Sequence, residues 1–204
     1  WTSSSRSASA GSTLALQTGL EAYELEGRLD VPTGVTLTVQ AGVTVKGRNS
    51  SGLIYVQGHL QAVGTASQPI TFTSVADSGP SQWSGLGFTG GTGDLRYVTV
   101  RYGGAASNYV SGNSNVAMSG VTNGEVRIES SRILSASHTS LDNGVYAYNS
   151  RLVISDTLIS GNGSATNDAG LYIAGSSVVT VTNSTIRGNA GNGLGLDWVQ
   201  QKYN

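Results

Sequence analysis

Gly144-Val145-Tyr146-Ala147 returns as Gly170-Leu171-Tyr172-Ile173, 26 residues on (170 − 144). Leu152-Val153-Ile154 returns as Val179-Thr180-Val181, and Ile159-Ser160-Gly161-Asn162 as Ile186-Arg187-Gly188-Asn189, each 27 residues on (179 − 152, 186 − 159). Upstream, Val126-Arg127-Ile128 and Ile133 precede Leu152-Val153-Ile154 and Ile159 by 26 (152 − 126, 159 − 133). A period of this length is too long for a helix or a hairpin. It is the mark of a solenoid, in which each repeat is one coil stacked on the last.

Working outward, two ladders of inward-facing pairs thread the chain. The first runs Ile54/Val56, Leu86/Phe88, Val116/Met118, Val145/Ala147, Leu171/Ile173 and Leu194/Leu196. The second runs Ile70/Phe72, Leu95/Tyr97, Val126/Ile128, Leu152/Ile154 and Val179/Val181. Extra residues fall in Ser78–Gln82, Ser107–Ser114 and Ala136–Asn143, where Gly, Ser, Asn and Asp mark loops. Nearer the start, Tyr23, Leu25, Leu29 and Val31 alternate with polar residues, as do Val35, Leu37 and Val39. That period of two is the half-buried strand signal.

No apolar stretch is long enough for crossover helices. The expected fold is therefore all-β, a single-stranded parallel β-helix of roughly seven coils, with strands ~4.8 Å apart from coil to coil. Residues 1–22 are expected to be an N-terminal cap or lead-in, and 23–204 the β-helix. Like-on-like stacking of Val, Ile and Leu should stabilise it, with side-chain ladders at bends such as Asn162 over Asn189. The chain starts at Trp1 and reads as a processed or excised piece. Leu194–Trp198 completes a strand, and Val199–Asn204 is too short for a convincing cap. The natural protein is expected to continue beyond Asn204, or to stack that end on another chain or domain.

Composition narrows the function classes. Charged residues are 11% of the chain, well below the roughly 25% of ordinary domains, and Gly is 29 of 204. The formal charge of −1 disfavours a sequence-independent nucleic-acid binder or a membrane-surface binder. No apolar run approaches a membrane span, so no direct insertion is expected. The absence of cysteine excludes a disulfide framework and a thiolate metal site.

One ordered set of motifs points to a family. Val31-Pro32-Thr33-Gly34-Val35-Thr36-Leu37-Thr38-Val39-Gln40-Ala41-Gly42-Val43 is followed by Gly58-His59-Leu60-Gln61-Ala62-Val63-Gly64-Thr65, then by Pro69-Ile70-Thr71-Phe72-Thr73-Ser74 and Trp83-Ser84-Gly85-Leu86-Gly87-Phe88. The set resembles secreted or cell-surface bacterial proteins of the right-handed parallel β-helix repeat type, over about Tyr23 to Leu196. The resemblance implies a right-handed helix, three short sheets and an extracellular or cell-surface setting. It does not imply one activity, since lyases, hydrolases, adhesins and stalks share the fold. The polygalacturonase-like set is absent: no two acidic residues are adjacent, His59 sits in Gly58-His59-Leu60, and Arg127-Ile128 is followed by Glu129. The pectate-lyase-like pairing of a catalytic Arg beside a Pro with a cluster of calcium-binding aspartates is missing too.

Two outward features remain as candidate ligand-binding residues. Asp142 and Asp168 each stand two residues before matching glycines, which places them at one bend on neighbouring coils. Such a pair suits a retaining glycosidase, whose carboxyls lie ≈ 5–5.5 Å apart. It equally suits Ca2+, the one cofactor the sequence leaves open, or plain turns in which Asp bonds its own backbone. Tyr146 and Tyr172 fall between inward residues and should stack outward, with Gly87, Ala117 and Gly195 in the same column. That column reads either as a shallow platform for sugar rings or as an aromatic ladder that stabilises the sheet. Arg96 and Arg127 are expected to share an outward column, with Glu125 and Glu129 as internal partners. His59 and His138 look isolated, and no residue is assigned a catalytic or metal-binding role.

The leading expectation is thus a non-enzymatic extracellular module, adhesin-like or a structural stalk of a bacterial surface protein. Its partners would be carbohydrate or another surface protein. A polysaccharide lyase or glycoside hydrolase is the alternative.

Overall fold

The computed structural model describes residues 6–106, 113–138 and 142–197, and every regular element within them is a β-strand. The first coil holds β1 (Arg6–Ser7), β2 (Thr13–Leu14) and β3 (Tyr23–Leu25). The second holds β4 (Arg28–Val31), β5 (Thr36–Val39) and β6 (Thr44–Gly47), and the third β7 (Asn49–Val56), β8 (His59–Val63) and β9 (Ile70–Ser74). Then come β10 (Trp83–Thr89), β11 (Thr92–Arg96) and β12 (Val98–Arg101), followed by β13 (Asn113–Ser119), β14 (Val126–Glu129) and β15 (Arg132–Leu134). The sixth coil is β16 (Asp142–Tyr148), β17 (Arg151–Ser155) and β18 (Leu158–Ser160), and the seventh β19 (Ala169–Ala174), β20 (Val178–Thr182) and β21 (Thr185–Arg187), before β22 (Asn192–Asp197) opens another. Every third strand stacks in parallel, giving sheet A of 8 strands and sheets B and C of 7 each. The expected parallel β-helix is therefore the fold. Arg6–Ser7 and Thr13–Leu14, within the stretch read as a lead-in, already pair with β4 and β5.

The first ladder lies in sheet A as expected: Ile54, Leu86, Val116, Val145, Leu171 and Leu194 are in register down the stack. The second needs correction. In sheet B, Leu60/Ala62 stack on Gly93/Leu95 and then on Val126/Ile128, so the true rung lies two residues before Leu95/Tyr97. Gly93 hides it. A Cβ there would stand 2.7 Å from the Phe88 ring, whose bulk fills the space that Leu60 and Val126 occupy on their own coils. Ile70/Phe72 belong instead to sheet C, where a third ladder runs Val45, Phe72, Val100, Ile133, Ile159 and Ile186. The three ladders meet in one continuous core in which Phe72, Trp83, Leu86, Phe88 and Ile128 have almost no exposed surface. Burying each such side chain contributes about 1.5–3 kcal/mol.

At many bends a residue takes the left-handed backbone. After sheet A strands it is Asn149 (φ 47°) or Gly175 (φ 63°), and after sheet B strands Ser130, Asp156 and Asn183. Asn and Gly tolerate this region best, which is why they punctuate the repeat. Hydroxyls of each coil then cap N–H groups of its neighbour. Ser131 N–H donates to Thr157 Oγ1 (3.2 Å) and Thr157 N–H to Ser184 Oγ (3.1 Å), while Ser150 N–H donates to Ser177 Oγ (3.1 Å). Asn162 N–H donates to Asn189 Oδ1 at 3.0 Å, the expected asparagine ladder. Packing is poorest at the C-terminal end of the described stack, where Val178, Leu194 and Leu196 are 59%, 50% and 64% exposed.

Candidate functional site

Sheet A positions the tyrosines. Its outward column reads Asp30, Tyr55, Gly87, Ala117, Tyr146, Tyr172, Gly195 from coil to coil. The Tyr146 and Tyr172 rings stack with centroids 5.8 Å apart and planes 16° from parallel. That separation exceeds direct face contact, so the rings are offset. Ala117 and Gly87 are buried, and Tyr146 packs against Ala117. At the other end a Cβ on Gly195 would meet Tyr172 Cδ2 at 2.6 Å, so the ring extends over that glycine. Tyr148 stands exposed one position over on β16, in register through Ala174 with Asp197. Burial pushes the Tyr172 hydroxyl pKa up, and the charge and hydrogen bond of Asp197 add to it. The Tyr146 hydroxyl is raised in the same sense, by burial first and then by Tyr172, Tyr148 and Asp197. The accessible part of the column is thus an aromatic strip ending in a carboxylate.

Asp142 and Asp168 do meet at one bend, and both are fully buried. Asp168 Oδ1 accepts the Asp142 N–H at 3.0 Å, and its Oδ2 accepts the Ser164 and Ala165 N–H groups at 2.7 Å each. Asp142 Oδ2 accepts the His138 N–H at 2.5 Å and the Ser164 hydroxyl at 3.0 Å. These are the bonds of turns, and they clip one coil to the next. A glycosidase carboxylate must touch the sugar, and neither of these presents an oxygen to solvent. Of the four carboxylate oxygens of the pair, Asp142 Oδ1 is the one without a hydrogen bond among the described residues. A Ca2+ bridging the pair would have to displace the N–H donors.

On the outer face of sheet B the register correction reorders the charges. Arg96 lies beside Glu129 and pairs with it at 2.9 Å, while Arg127 lies beside Asp94 and pairs with Glu125. The expected like-charge column of Arg96 and Arg127 does not exist, whereas the expected internal partners do. His59 is not isolated: its Nδ1 lies 2.8 Å from Thr92 Oγ1 and its Nε2 3.6 Å from Asp94 Oδ2. A depression of about 290 Å³ beside it is bounded by Asp94, Arg96, Arg127 and Glu129. The sequence reading missed this cluster because its second ladder was set two residues late on β11. With the corrected rung, odd-even alternation on β8, β11 and β14 would have found it.

Residues 9–92 match a family described as a pectate-lyase like beta helix domain. Residues 84–202, more than half of the 204-residue chain, match a right handed beta helix region. The chain belongs to the right-handed β-helix family. No curated protein and no solved structure matches it.

As a right-handed β-helix the protein offers two kinds of surface chemistry. The sheet A strip supplies aromatic faces, phenol hydroxyls and one carboxylate, a set that packs C–H groups and accepts hydroxyl protons. The sheet B face supplies an imidazole within reach of a hydroxyl and a carboxylate, ringed by compensated ion pairs. No helix of the described residues is long and apolar enough to cross a membrane.

Proposed function

We infer that this β-helix is a non-enzymatic, extracellular module of a bacterial surface protein, adhesin-like or a rigid stalk, that holds carbohydrate on the outer face of sheet A. The observation that carries the reading is the stacked Tyr146–Tyr172 pair lying over Gly195, with Tyr148 and Asp197 at its side. Sugar rings pack their C–H faces on such aromatics and donate hydroxyls to such carboxylates. The full burial of Asp142 and Asp168 supports the non-enzymatic part, because it removes the only matched acid pair from contact with substrate.

A glycan array followed by titration tests it. Tyr172→Ala should weaken binding of the selected glycan about tenfold, the equivalent of about 1.4 kcal/mol. Affinity unchanged in Tyr172→Ala, or no glycan bound at all, rules the strip out.

A second reading, a polysaccharide lyase or glycoside hydrolase, is favoured by the pectate-lyase like description over residues 9–92 and by the His59–Thr92–Asp94 cluster. The same polysaccharides, incubated with and without Ca2+ and assayed for new reducing ends or unsaturated uronates, separate the two. Activity lost in His59→Ala would establish the enzyme and end the non-enzymatic reading.

A further inference from the structure

The chain carries four Asn-Gly steps: Asn123-Gly124, Asn143-Gly144, Asn162-Gly163 and Asn192-Gly193. In each, a backbone nitrogen that no side chain shields follows a primary amide, and it can attack the amide carbon wherever the chain lets the two meet. The fold holds three of them apart. Asn143 and Asn162 are buried; Asn143 Oδ1 accepts the Ala169 N–H at 2.9 Å, and both ends of the Asn162 amide are bonded to neighbouring groups. The Gly163 N–H is itself engaged by the Ala136 carbonyl at 2.7 Å. Asn192 is exposed, but it lies in β22 paired to Ala169, with its N–H donating to the Asp168 carbonyl at 2.8 Å. An extended strand fixes ψ, so the following nitrogen cannot close on the side chain without unpairing the strand.

Asn123-Gly124 is placed differently. Residues 120–125 join β13 to β14, whereas 90–91 and 149–150 suffice at the same corner of the coils on either side. The extra length is pinned near its two ends. Val121 N–H donates to Ser150 Oγ (3.1 Å) and its carbonyl accepts the Arg151 N–H (2.9 Å), while the Glu125 carbonyl accepts the Gly93 N–H (3.4 Å). Between these anchors Thr122, Asn123 and Gly124 are exposed. Neither the Asn123 amide nor the Gly124 N–H has a hydrogen-bond partner among the described residues. Gly124 has φ +123°, a conformation that favours glycine, and a Cβ there would stand 2.7 Å from Thr92 Cγ2. Backbone and space both call for the residue that leaves this nitrogen bare.

We propose that Asn123 is a modification site, deamidated spontaneously and selected by the fold from the four Asn-Gly steps. The Gly124 nitrogen gives up its proton and bonds to Asn123 Cγ, the Cγ–Nδ2 bond breaks, and ammonia departs with that proton. Water then opens the cyclic imide. Cleavage of the new Cγ–N bond leaves aspartate; cleavage of the bond from nitrogen to the Asn123 main-chain carbonyl carbon leaves isoaspartate. Either product takes the formal charge from −1 to −2, at a corner that already holds Glu125. Isoaspartate also lengthens the backbone by a methylene, which a connection pinned only near its ends absorbs.

The test incubates the full chain in mildly alkaline buffer, once folded and once in guanidinium chloride, and follows each Asn-Gly step by peptide mapping. In the folded chain Asn123 should react about tenfold faster than any other step, since the others wait on local opening. In denaturant all four should react at similar rates. Hydroxylamine, which cleaves the imide, should cut the folded chain between Asn123 and Gly124. Asn123→Ser should prevent the acidic species seen on isoelectric focusing. An Asn123 left intact, or equal or faster reaction at Asn143, Asn162 or Asn192 in the folded chain, overturns the proposal. So does the same rank of rates in denaturant, which would make the selection local, and so do acidic species forming at the parental rate in Asn123→Ser.

Discussion

Asn162 is bonded from several sides and has no exposed surface. Its Nδ2 donates to Ile133 O (3.2 Å) and Asn189 Oδ1 (3.0 Å), while its Oδ1 accepts the Ala136 N–H (2.9 Å) and Asn115 Nδ2 (3.2 Å). Asn162→Ala leaves the Ala136 N–H and the Ile133 carbonyl buried and unpaired. At about 1–3 kcal/mol for each stranded group, a loss of about 2–4 kcal/mol is expected, read from the urea midpoint. An unshifted midpoint would mean that water replaces the amide. The Asn162–Asn189 part of this ladder is legible in the 27-residue spacing, and so is Tyr146 over Tyr172. Asn115 is not, because extra residues between β12 and β13 break the spacing. His59 and Thr92, 33 residues apart, were invisible because the slipped β11 rung hid their register. Burial of Asp142 and Asp168 was also beyond sequence reading, since a turn carboxylate and a surface carboxylate carry the same letters.

At the scale of elements, strands were easier to read than the bends between them. Inward residues of β10, β13, β16 and β19 alternate without interruption, so their register could be written from sequence. In β11 a glycine takes the inward rung under Phe88, and the apparent ladder slipped by two residues. The loop 75–82 shows what an irregular element needs in order to stay put. Burial by itself would raise the Asp77 carboxyl, but the hydrogen bonds from Arg101 and Thr73 and the charges of Arg101 and Lys46 outweigh it and hold the carboxyl below the usual range. A folded-state pKa below the unfolded value stabilises the protein above about pH 4, and this contribution fades as pH falls through the folded value. Asp77→Asn should therefore lower stability by about 1 kcal/mol at pH 7, the modest figure reflecting partial solvent screening. The gap to the parent chain should narrow in acid, as followed by thermal melts at pH 7 and pH 2. An equal gap at both pH values would show that the carboxylate charge is not what anchors the loop.

The whole molecule behaves as a one-dimensional stack, in which each coil touches mainly its neighbours. Val145 is in register with Leu171, so excision of residues 145–170 removes one coil, 26 residues (171 − 145), and joins Gly144 to Leu171 in phase. That shortened chain should still fold, with β-sheet circular dichroism and a melting temperature lower by several degrees, since one nearest-neighbour interface is lost. Removing half as many residues would place outward positions inside and should abolish the cooperative melt. If both deletions behave alike, stacking of equivalent rungs is not what sustains the fold. Sequence by itself determined the period, the inward faces of sheet A, the parallel β-helix and the stacked tyrosines, because stacking like on like leaves a repeat that can be counted. Only the tertiary structure decided that His59 meets Thr92 and Asp94 and that the paired aspartates are sealed. Those outcomes depend on the register between coils and on the length of each connection, which changes from coil to coil and leaves no periodic trace.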